Sequence, residues 1–517
     1  MIPRSDVAAP SPRPLTIGDA PISLDDLDAC LGRPLVVTIS NAAMGRLNSA
    51  REIAERLIST GRSIYGINTG FGKLCNVRIS SDDLARLQQN LIVSHAVGVG
   101  PPAPPEIVRW MLLLKANALL AGASAISPDC VRCLVDLLNH DLLPVVPTRG
   151  SLGASGDLAP LAHLVLPLIN RGEVIEHGEV VSAQAAMQRN RIAPASLGPK
   201  DGLALINGTQ FMLAYAAEVI VRARRLARHA DLIATLSLEA YQGSLAPFRA
   251  ELVSLRPHPG ILETAENVRR LMADSEILKS HANCDKVQDP YSLRCIPPVH
   301  GACRDVVRQA AATVEIELNS VTDNPVLVDE EFISGGLFHG EPLALALDHL
   351  AMALSEWANI SERRTYMLLH GPDGLPPLLM KDTGLNSGFM IPQYTAAALV
   401  NECKVLCTPA SIDSIPSSLG QEDHVSMGAT SALKCRQVLE NAETVLAIEM
   451  LCSAQALDFR LPTQPGIGPR IALETIRKTI SHAEEDREFR SDIAESLAIL
   501  RRQDALSAVE AVVGPLK

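Results

Sequence analysis

A run of small residues between positions 150 and 160 offers the clearest covalent chemistry in the sequence, with Ala154-Ser155-Gly156 at its centre. Gly156 has no Cβ, so its amide nitrogen can close on the Ala154 carbonyl if the turn is compressed. Ser155 can then lose its hydroxyl as water, which leaves an electron-poor alkene on an imidazolone ring. None of the twenty side chains supplies such an electrophile. A helix N-terminus behind the turn, which Asp157 suits, would favour negative charge on that ring.

Ala-Ser-Gly is a common tripeptide and by itself indicates only a plain turn. The longer run Gly-Ser-Leu-Gly-Ala-Ser-Gly-Asp-Leu-Ala-Pro-Leu-Ala-His at residues 150–163 resembles the core signature of the aromatic amino acid ammonia-lyases. Further motifs extend the resemblance from about residue 15 to about residue 500, most closely to the histidine-specific branch. The resemblance implies that residues 154–156 form a 4-methylidene-imidazol-5-one (MIO) group autocatalytically. It also implies that L-histidine loses ammonia, without oxidation, to give trans-urocanate.

The segment Tyr65-Gly-Ile-Asn-Thr-Gly-Phe-Gly-Lys73 looks at first like a phosphate-binding loop. Its spacing is wrong for that motif, because Ile67 stands where a glycine is needed and Leu74 follows Gly-Lys. We therefore predict no nucleotide, and a mobile surface loop is the plain alternative. The resemblance makes it the lid-like active-site loop of the family, with Tyr65 as the catalytic base. Nearby positive charge or hydrogen bonds would have to lower the tyrosine pKa for that role.

Two motifs bear on the substrate ring. A lone histidine near a helix end, such as His95, is usually structural, and the polar run that contains Glu422 could cap a helix. By resemblance, Ser94-His95 and Glu422 match the histidine-specific members. A buried imidazole needs hydrogen-bond partners, and a carboxylate also stabilises its protonated form. We predict that His95 and Glu422 bind the ring, and Glu422 competes with Tyr65 as the base.

The resemblance assigns five more residues to substrate binding: Asn207, Gln288, Tyr291, Arg294 and Phe338. From spacing alone, the Gln-Asp-Pro-Tyr-Ser-Leu-Arg block at 288–294 could be an ordinary polar loop, and Asn207-Gly208 a turn. The planar fork of Arg294 suits a substrate carboxylate, since it can bind both oxygens.

Three positions depart from the family pattern. Ile296 and Pro298 stand where glutamines are expected, and Leu337 replaces an asparagine. Each change removes hydrogen-bonding capacity near the site. The alternatives are therefore an ammonia-lyase or 2,3-aminomutase acting on tyrosine, phenylalanine or a modified histidine. More distant alternatives are a non-catalytic helical assembly protein and a helical lyase with a serine base.

Composition narrows the possible partners. The formal net charge of −12 argues against nucleic acid, and no apolar run reaches membrane-spanning length. No His-Glu-x-x-His or Cys/His cluster indicates a metal, so we predict none. The 11 scattered cysteines fit reduced thiols in a cytoplasmic protein. The expected partner is a small amino acid substrate.

The composition, 47% hydrophobic but only 3% aromatic, favours packed helices. Long apolar helices are predicted at 299–320, 341–369, 388–407 and 426–457, and the turns between them predict an antiparallel bundle. The fold expected from the resemblance is mainly α, of the fumarase/aspartase-like superfamily, assembled as a homotetramer with shared active sites. The predicted parts are a disordered lead-in (1–14), a smaller mixed part that contains the active turn and the lid-like loop (15–200), the central bundle (201–460) and a helical tail (461–517).

Overall fold

The computed structural model describes residues 12–60, 63–70, 79–80, 83–282 and 286–517. The chain is mainly helical. The helices are α1 Leu24–Cys30, α2 Asn41–Ser59, α3 Leu84–His95, α4 Pro105–Leu119, α5 Pro128–Asn139, α6 Leu158–Val165, α7 Ala183–Arg189, α8 Asp201–Ile206, α9 Gln210–Ala240, α10 Ala250–Val253, α11 Pro259–Leu271, α12 Glu276–Ser280, α13 Tyr291–Arg294, α14 Ile296–Glu317, α15 Glu341–Leu369, α16 Met390–Leu406, α17 Gly428–Asp458, α18 Ile467–Ile476, α19 Phe489–Arg502 and α20 Asp504–Val513. The strands are β1 Arg13–Ile17, β2 Leu35–Ile39, β3 Val99–Pro102, β4 Leu143–Pro144, β5 Pro147–Arg149, β6 Glu173–Glu176, β7 Glu179–Ser182, β8 Val326–Val328 and β9 Glu331–Ile333.

The strands form small sheets of two or three members. β1 and β2 are parallel, with Arg13 opposite Leu35. The antiparallel groups are β3-β5, β4-β6-β7 and β8-β9. Arg13 and Pro14 therefore belong to a strand, and the predicted disordered lead-in is wrong for these two residues. Pro14 is tolerated because a two-stranded sheet has only edge strands, where a missing N–H need cost no ladder bond. Residues 1–11 lie outside the described residues.

Local sequence signals set the helix ends. The Ser40 side chain accepts a hydrogen bond from the Ala43 amide and so caps α2. Pro105 begins α4, where its missing N–H has no helical partner to lose. The four predicted long helices are confirmed as α14 to α17, with ends that differ by a few residues.

The described residues fold into two compact units. The first comprises residues within 1–221, 311–348 and 409–433. In it, α3, α6 and α8 pack against one another. α3 ends at His95, α6 begins just after the Ala-Ser-Gly turn, and α8 ends just before Asn207. The packing of these three helices therefore sets the positions of three predicted site segments.

The second unit comprises residues within 222–310, 349–408 and 434–517. One of its apolar clusters includes Leu238, Phe248, Val268, Leu293 and Ile296, all buried. Buried ion pairs accompany this core, as described below. Both units are discontinuous along the chain, whereas the predicted division uses four consecutive ranges, and that division stays a prediction. Within the described part of the chain, no helix is long and apolar enough to cross a membrane.

Candidate active site

The Ala-Ser-Gly turn is built on two glycines in a left-handed conformation. Gly153 and Gly156 both have φ of 70°. A Cβ on Gly156 would lie 2.1 Å from the Gly208 carbonyl oxygen, and a Cβ on Gly153 would lie 2.2 Å from Ser426 Oγ. Contacts that short are sterically forbidden, so only glycine fits at either position. The turn is thus tightly compressed against two other segments of the chain.

Main-chain hydrogen bonds hold the peptide groups on both sides of Gly156. The Asp157 amide donates to the Gly208 carbonyl at 2.7 Å, and the Gly208 amide lies 3.4 Å from the Ser155 carbonyl oxygen. The segment at 207–208 therefore fixes the turn from one side. On the other side, the Met427 amide donates to the Leu152 carbonyl at 2.9 Å.

Asp157 anchors the start of α6 in a fully buried position. One carboxylate oxygen accepts from Ser151 Oγ at 2.9 Å, and the other accepts from the Met212 amide at 2.9 Å. Burial raises the pKa of Asp157 to about 7, although these hydrogen bonds lower it in part. The carboxyl group beside the turn can therefore change its charge near neutral pH.

A cavity of about 930 Å³ opens next to the turn, within the first unit. It contains most of the predicted site residues. The predicted residues that line it are Tyr65, His95, Ser155, Asn207, Phe338 and Glu422. Other lining residues include Asn90, Leu91, Ser94, Asn324, Ser418 and Gln421. Residues 71–73 of the predicted lid-like loop lie outside the described residues.

Glu422 faces the serine at the centre of the turn. The Ser155 hydroxyl lies 3.4 Å from Glu422 Oε1, and Ser417 Oγ donates to Glu422 Oε2 at 2.8 Å. Main-chain hydrogen bonds between Ser417 and Glu422 fix the local backbone. These hydrogen bonds therefore fix the orientation of the Glu422 carboxylate at the cavity.

His95 is oriented by its own helix. Its Nδ1 lies 2.7 Å from the Leu91 carbonyl oxygen, which can only accept a hydrogen bond. The neutral ring therefore has its proton on Nδ1 and a lone pair on Nε2. This tautomer makes His95 Nε2 an acceptor for an N–H group.

Asn207 lies at the end of α8 and is almost fully buried. Its side-chain oxygen has no hydrogen-bond partner among the described residues. A buried acceptor without a partner costs free energy, and such an atom beside a cavity suits a ligand donor. Tyr65 is half-buried in the same cavity wall.

Gln288, Tyr291 and Arg294 lie in the second unit and do not line this cavity among the described residues. Tyr291 is 70% exposed. The Arg294 guanidinium carbon lies 4.5 Å from the centre of the Tyr291 ring, a cation–π contact. Among the residues that the structure describes, these three therefore do not join Ser155 in the lining of this cavity.

The three departures from the family pattern have structural explanations. Ile296 is fully buried in the apolar cluster of the second unit. Pro298 occupies the first turn of α14, where a proline removes no helical hydrogen bond. Leu337 is 58% exposed and does not line the described cavity, although the adjacent Phe338 does.

One group of side chains has a metal-type donor set. His339, Glu341 and His424 place one potential ligand atom each within 4.8 Å of one another. The Glu341 Oε2 atom is buried without a hydrogen-bond partner in the described part of the protein. Two imidazoles and one carboxylate could hold a divalent ion. The sequence prediction of no metal could not consider this group, because His424 lies more than eighty residues from the other two members.

Comparison with known proteins places these features in one family. Residues 22–478 match the model of the family described as aromatic amino acid lyase. The chain belongs to the aromatic amino acid lyase family. A histidine ammonia-lyase from Stigmatella aurantiaca is 49% identical over 96% of this chain and 98% of its own length. The resemblance predicted from the motifs is thereby confirmed.

Solved structures of aromatic amino acid lyases and related enzymes have the same fold. A histidine ammonia-lyase from Trypanosoma cruzi aligns with a TM-score of 0.90 and 37% identity, covering 97% of this chain and 96% of that one. A tyrosine aminomutase from Streptomyces globisporus aligns with a TM-score of 0.92 and 34% identity, covering 98% and 100%. The mainly α fold predicted from the sequence, of the fumarase/aspartase-like superfamily, is confirmed.

The sequence prediction missed two residues that support this lyase site, Lys115 and Ser417. Lys115 lies in α4 and donates from Nζ to the Asn207 carbonyl at 2.6 Å. Ser417 holds Glu422 from a loop. A single lysine within the apolar run Met-Leu-Leu-Leu-Lys-Ala was the available clue for Lys115, but it does not reveal which group the lysine contacts.

Proposed function

We propose that the protein eliminates ammonia from L-histidine to give trans-urocanate. The observation that supports this most strongly is the placement of His95 and Glu422 in one cavity with Ser155. Both side chains present acceptors, so an imidazolium ring with two N–H donors can satisfy both. The 49% identity to a histidine ammonia-lyase supports the same substrate.

Residues 154–156 fit the formation of an MIO group. Their glycine occupies a position that no Cβ could take, and their flanking peptides are hydrogen-bonded to the 207–208 segment. The group would supply an electrophile for the amino group of the substrate. The unpartnered Asn207 Oδ1 would accept a hydrogen bond from that amino group.

We assign proton removal from the substrate β-carbon to Tyr65, with Glu422 as the competing base. Both line the cavity. Glu422 is already engaged by Ser417 and lies near Ser155 Oγ, which favours a binding role for it. Phe338 supplies apolar surface to the same cavity wall.

We infer a homotetramer in which another subunit supplies Gln288, Tyr291 and Arg294 to each cavity. Tyr291 is exposed, and Arg294 Nε has no hydrogen-bond partner among the described residues, so an arginine donor is available for a substrate carboxylate. We also infer a cytoplasmic location, supported by nine described cysteines that form no disulfide.

The test is urocanate formation from L-histidine, followed by its near-ultraviolet absorbance, with tyrosine and phenylalanine as parallel substrates. The intact mass of the same preparation reports whether two waters have been lost. The proposal is supported if the protein turns over histidine and shows little turnover of tyrosine and phenylalanine. Two lost waters without histidine turnover would mean that the electrophile is correct and the substrate is wrong.

A second candidate is a 2,3-aminomutase acting on tyrosine. The 34% identical tyrosine aminomutase with a TM-score of 0.92 favours it. Chromatography of the products would distinguish the two, because an aminomutase gives a β-amino acid, whereas a lyase releases ammonia and an unsaturated acid.

A further inference from the structure

Lys115 is a buried lysine in a mostly apolar helix. It lies in α4, where every residue from 107 to 116 is buried, and only 2% of its surface is exposed. Burial lowers the pKa of Lys115 to about 7, partly offset by Asp323 and reinforced by Lys200. Such a lysine is costly to keep in a core, which calls for a specific role.

The partner of Lys115 is one particular peptide group. Nζ donates to the Asn207 carbonyl oxygen at 2.6 Å. The N–H of that same peptide belongs to Gly208 and faces the Ser155 carbonyl oxygen at 3.4 Å. One peptide group therefore links the Lys115 ammonium to the serine of the Ala-Ser-Gly turn. A cation on the carbonyl of a peptide polarises it and strengthens its N–H as a donor.

The next peptide strengthens this link. The Gly208 carbonyl accepts from the Asp157 amide at 2.7 Å. The same oxygen would lie 2.1 Å from a Cβ on Gly156. A shift of the 207–208 segment would therefore loosen the contacts that hold the backbone on both sides of Gly156.

We infer that Lys115 is a positioning residue for closure of the Ala154-Ser155-Gly156 ring, acting through the Asn207–Gly208 peptide. The inference rests on the proposed function, since it concerns the same prosthetic group. Lys115 contacts no reacting atom in the structure. Its effect is to hold the 207–208 segment, in which the Gly208 amide and the Gly208 carbonyl fix the two flanks of Gly156.

The ring closure itself is balanced without an oxidant. The Gly156 nitrogen bonds to the Ala154 carbonyl carbon, and the Ala154 oxygen leaves as water with protons from the Gly156 and Ser155 nitrogens. The Ser155 hydroxyl then leaves as a second water with the proton from its own Cα. The product is lighter than the unmodified chain by two waters, and its mass can be measured without any turnover.

Lys200 provides a matched control. It is also a fully buried lysine. Its Nζ donates a hydrogen bond to Asp323 at 2.7 Å and, among the described residues, donates none to the 207–208 segment. Lys115→Met and Lys200→Met each remove one buried ammonium from the same unit. A general loss of stability would affect both variants, whereas a loss of ring positioning would affect Lys115→Met alone.

The experiment compares both full-length variants with the wild type by intact mass, melting temperature, and kcat and KM for histidine. In Lys115→Met, we expect the share of protein that has lost both waters to fall at least about tenfold. The kcat of the remaining dehydrated protein should fall on the order of 10- to 100-fold, with KM little changed. Lys200→Met should lose both waters in full, even if its melting temperature falls as far.

If Lys115→Met does not fold, Lys115→Arg provides a second test. It keeps the buried cation but replaces the single ammonium contact with a larger guanidinium, so we expect folded protein with a severalfold smaller dehydrated share. Full dehydration and wild-type kcat in Lys115→Met, or in Lys115→Arg if only that variant folds, would overturn the inference. So would equal dehydration losses in Lys115→Met and Lys200→Met at equal melting temperature. A wild-type protein that retains both waters would instead refute the proposed prosthetic group, and this inference with it.

Discussion

Two sets of buried charged groups, one in each unit, have different kinds of partner. In the second unit, Arg364 and Glu449 form two hydrogen bonds of 2.5 and 2.8 Å, and both side chains are fully buried. Around the Ala-Ser-Gly turn, Asp157 accepts only from a hydroxyl and main-chain amides, and Lys115 donates to a carbonyl. The Arg364–Glu449 pair thus joins opposite charges, whereas Asp157 and Lys115 are hydrogen-bonded to neutral groups.

The pKa values reflect this difference. Burial alone would raise the pKa of Asp231 in the second unit, but Arg304 and His300 hold it below its usual value. The pKa of Asp157 rises to about 7, because its neutral hydrogen-bond partners offset burial only in part. The pKa of Lys115 falls to about 7, because Asp323 offsets burial only in part and Lys200 adds to it. The cation beside Asp231 thus fixes the ionisation of its carboxyl group, whereas the incomplete compensation at Asp157 and Lys115 leaves their charges adjustable near the site of chemistry.

The largest expected effect is on activity. Ser155→Ala removes the hydroxyl whose loss creates the alkene, so histidine turnover should fall to background while the fold is kept. The measurement is urocanate absorbance together with circular dichroism and the melting temperature. Substantial residual turnover in folded protein would contradict the proposed chemistry.

The next effect should fall on stability. Arg364→Met leaves the Glu449 carboxylate buried without its cation, which we expect to cost about 3–5 kcal/mol in the free energy of unfolding. Denaturant unfolding measures it. The double variant with Glu449→Gln should recover part of the loss, because no buried charge remains. The folded fraction of Arg364→Met should still show the loss of two waters. This result would show that the Arg364–Glu449 pair affects stability but not the chemistry of the Ala-Ser-Gly turn.

The pH dependence of stability tests the adjustable charge. The pKa of Asp157 is higher in the folded protein, at about 7, than its ordinary value of 3.8. The folded state therefore binds more protons between about pH 4 and 7, and the contribution of Asp157 to stability falls as the pH rises through this window. The contribution lost is a few kcal/mol, since one pKa unit is about 1.4 kcal/mol.

Asp157→Asn should flatten that slope in melting temperatures measured from pH 4 to 7. The wild-type slope alone cannot be attributed to Asp157, because burial also raises the pKa of Glu239 in the second unit to about 7. The difference between variant and wild type isolates Asp157. An unchanged slope in the variant would mean that the Asp157 carboxyl group of the wild type stays ionised in the folded protein throughout this pH range.

The smallest effect concerns substrate choice. Glu422→Gln keeps the shape of the side chain but removes the charge that would face an imidazolium ring. A hydrogen bond to a charged group contributes about 1.5–3 kcal/mol, so kcat/KM for histidine should fall about 10- to 100-fold. Any rate with phenylalanine should change far less. Equal losses on both substrates would assign Glu422 to the chemistry instead of the ring.

Much of this arrangement follows from local sequence. The apolar helical pattern predicted α14 to α17, and the small-residue run predicted a compressed turn before α6. The motifs also identified six residues that line one cavity. Local pattern could not show that Lys115 reaches the Asn207 carbonyl, or that His339 and His424 stack with ring centres 5.7 Å apart. Such contacts depend on how distant segments pack.

The compressed turn has a consequence for when the protein acquires its reactivity during synthesis. Gly153 packs against Ser426, which contacts its carbonyl oxygen from 273 residues further along the chain. Gly156 packs against Gly208. A nascent chain that has not yet reached residue 426 lacks part of the clamp that compresses the turn. The electrophile would therefore arise late in biogenesis, when a folded wall already shields it from the thiols and amines of its surroundings.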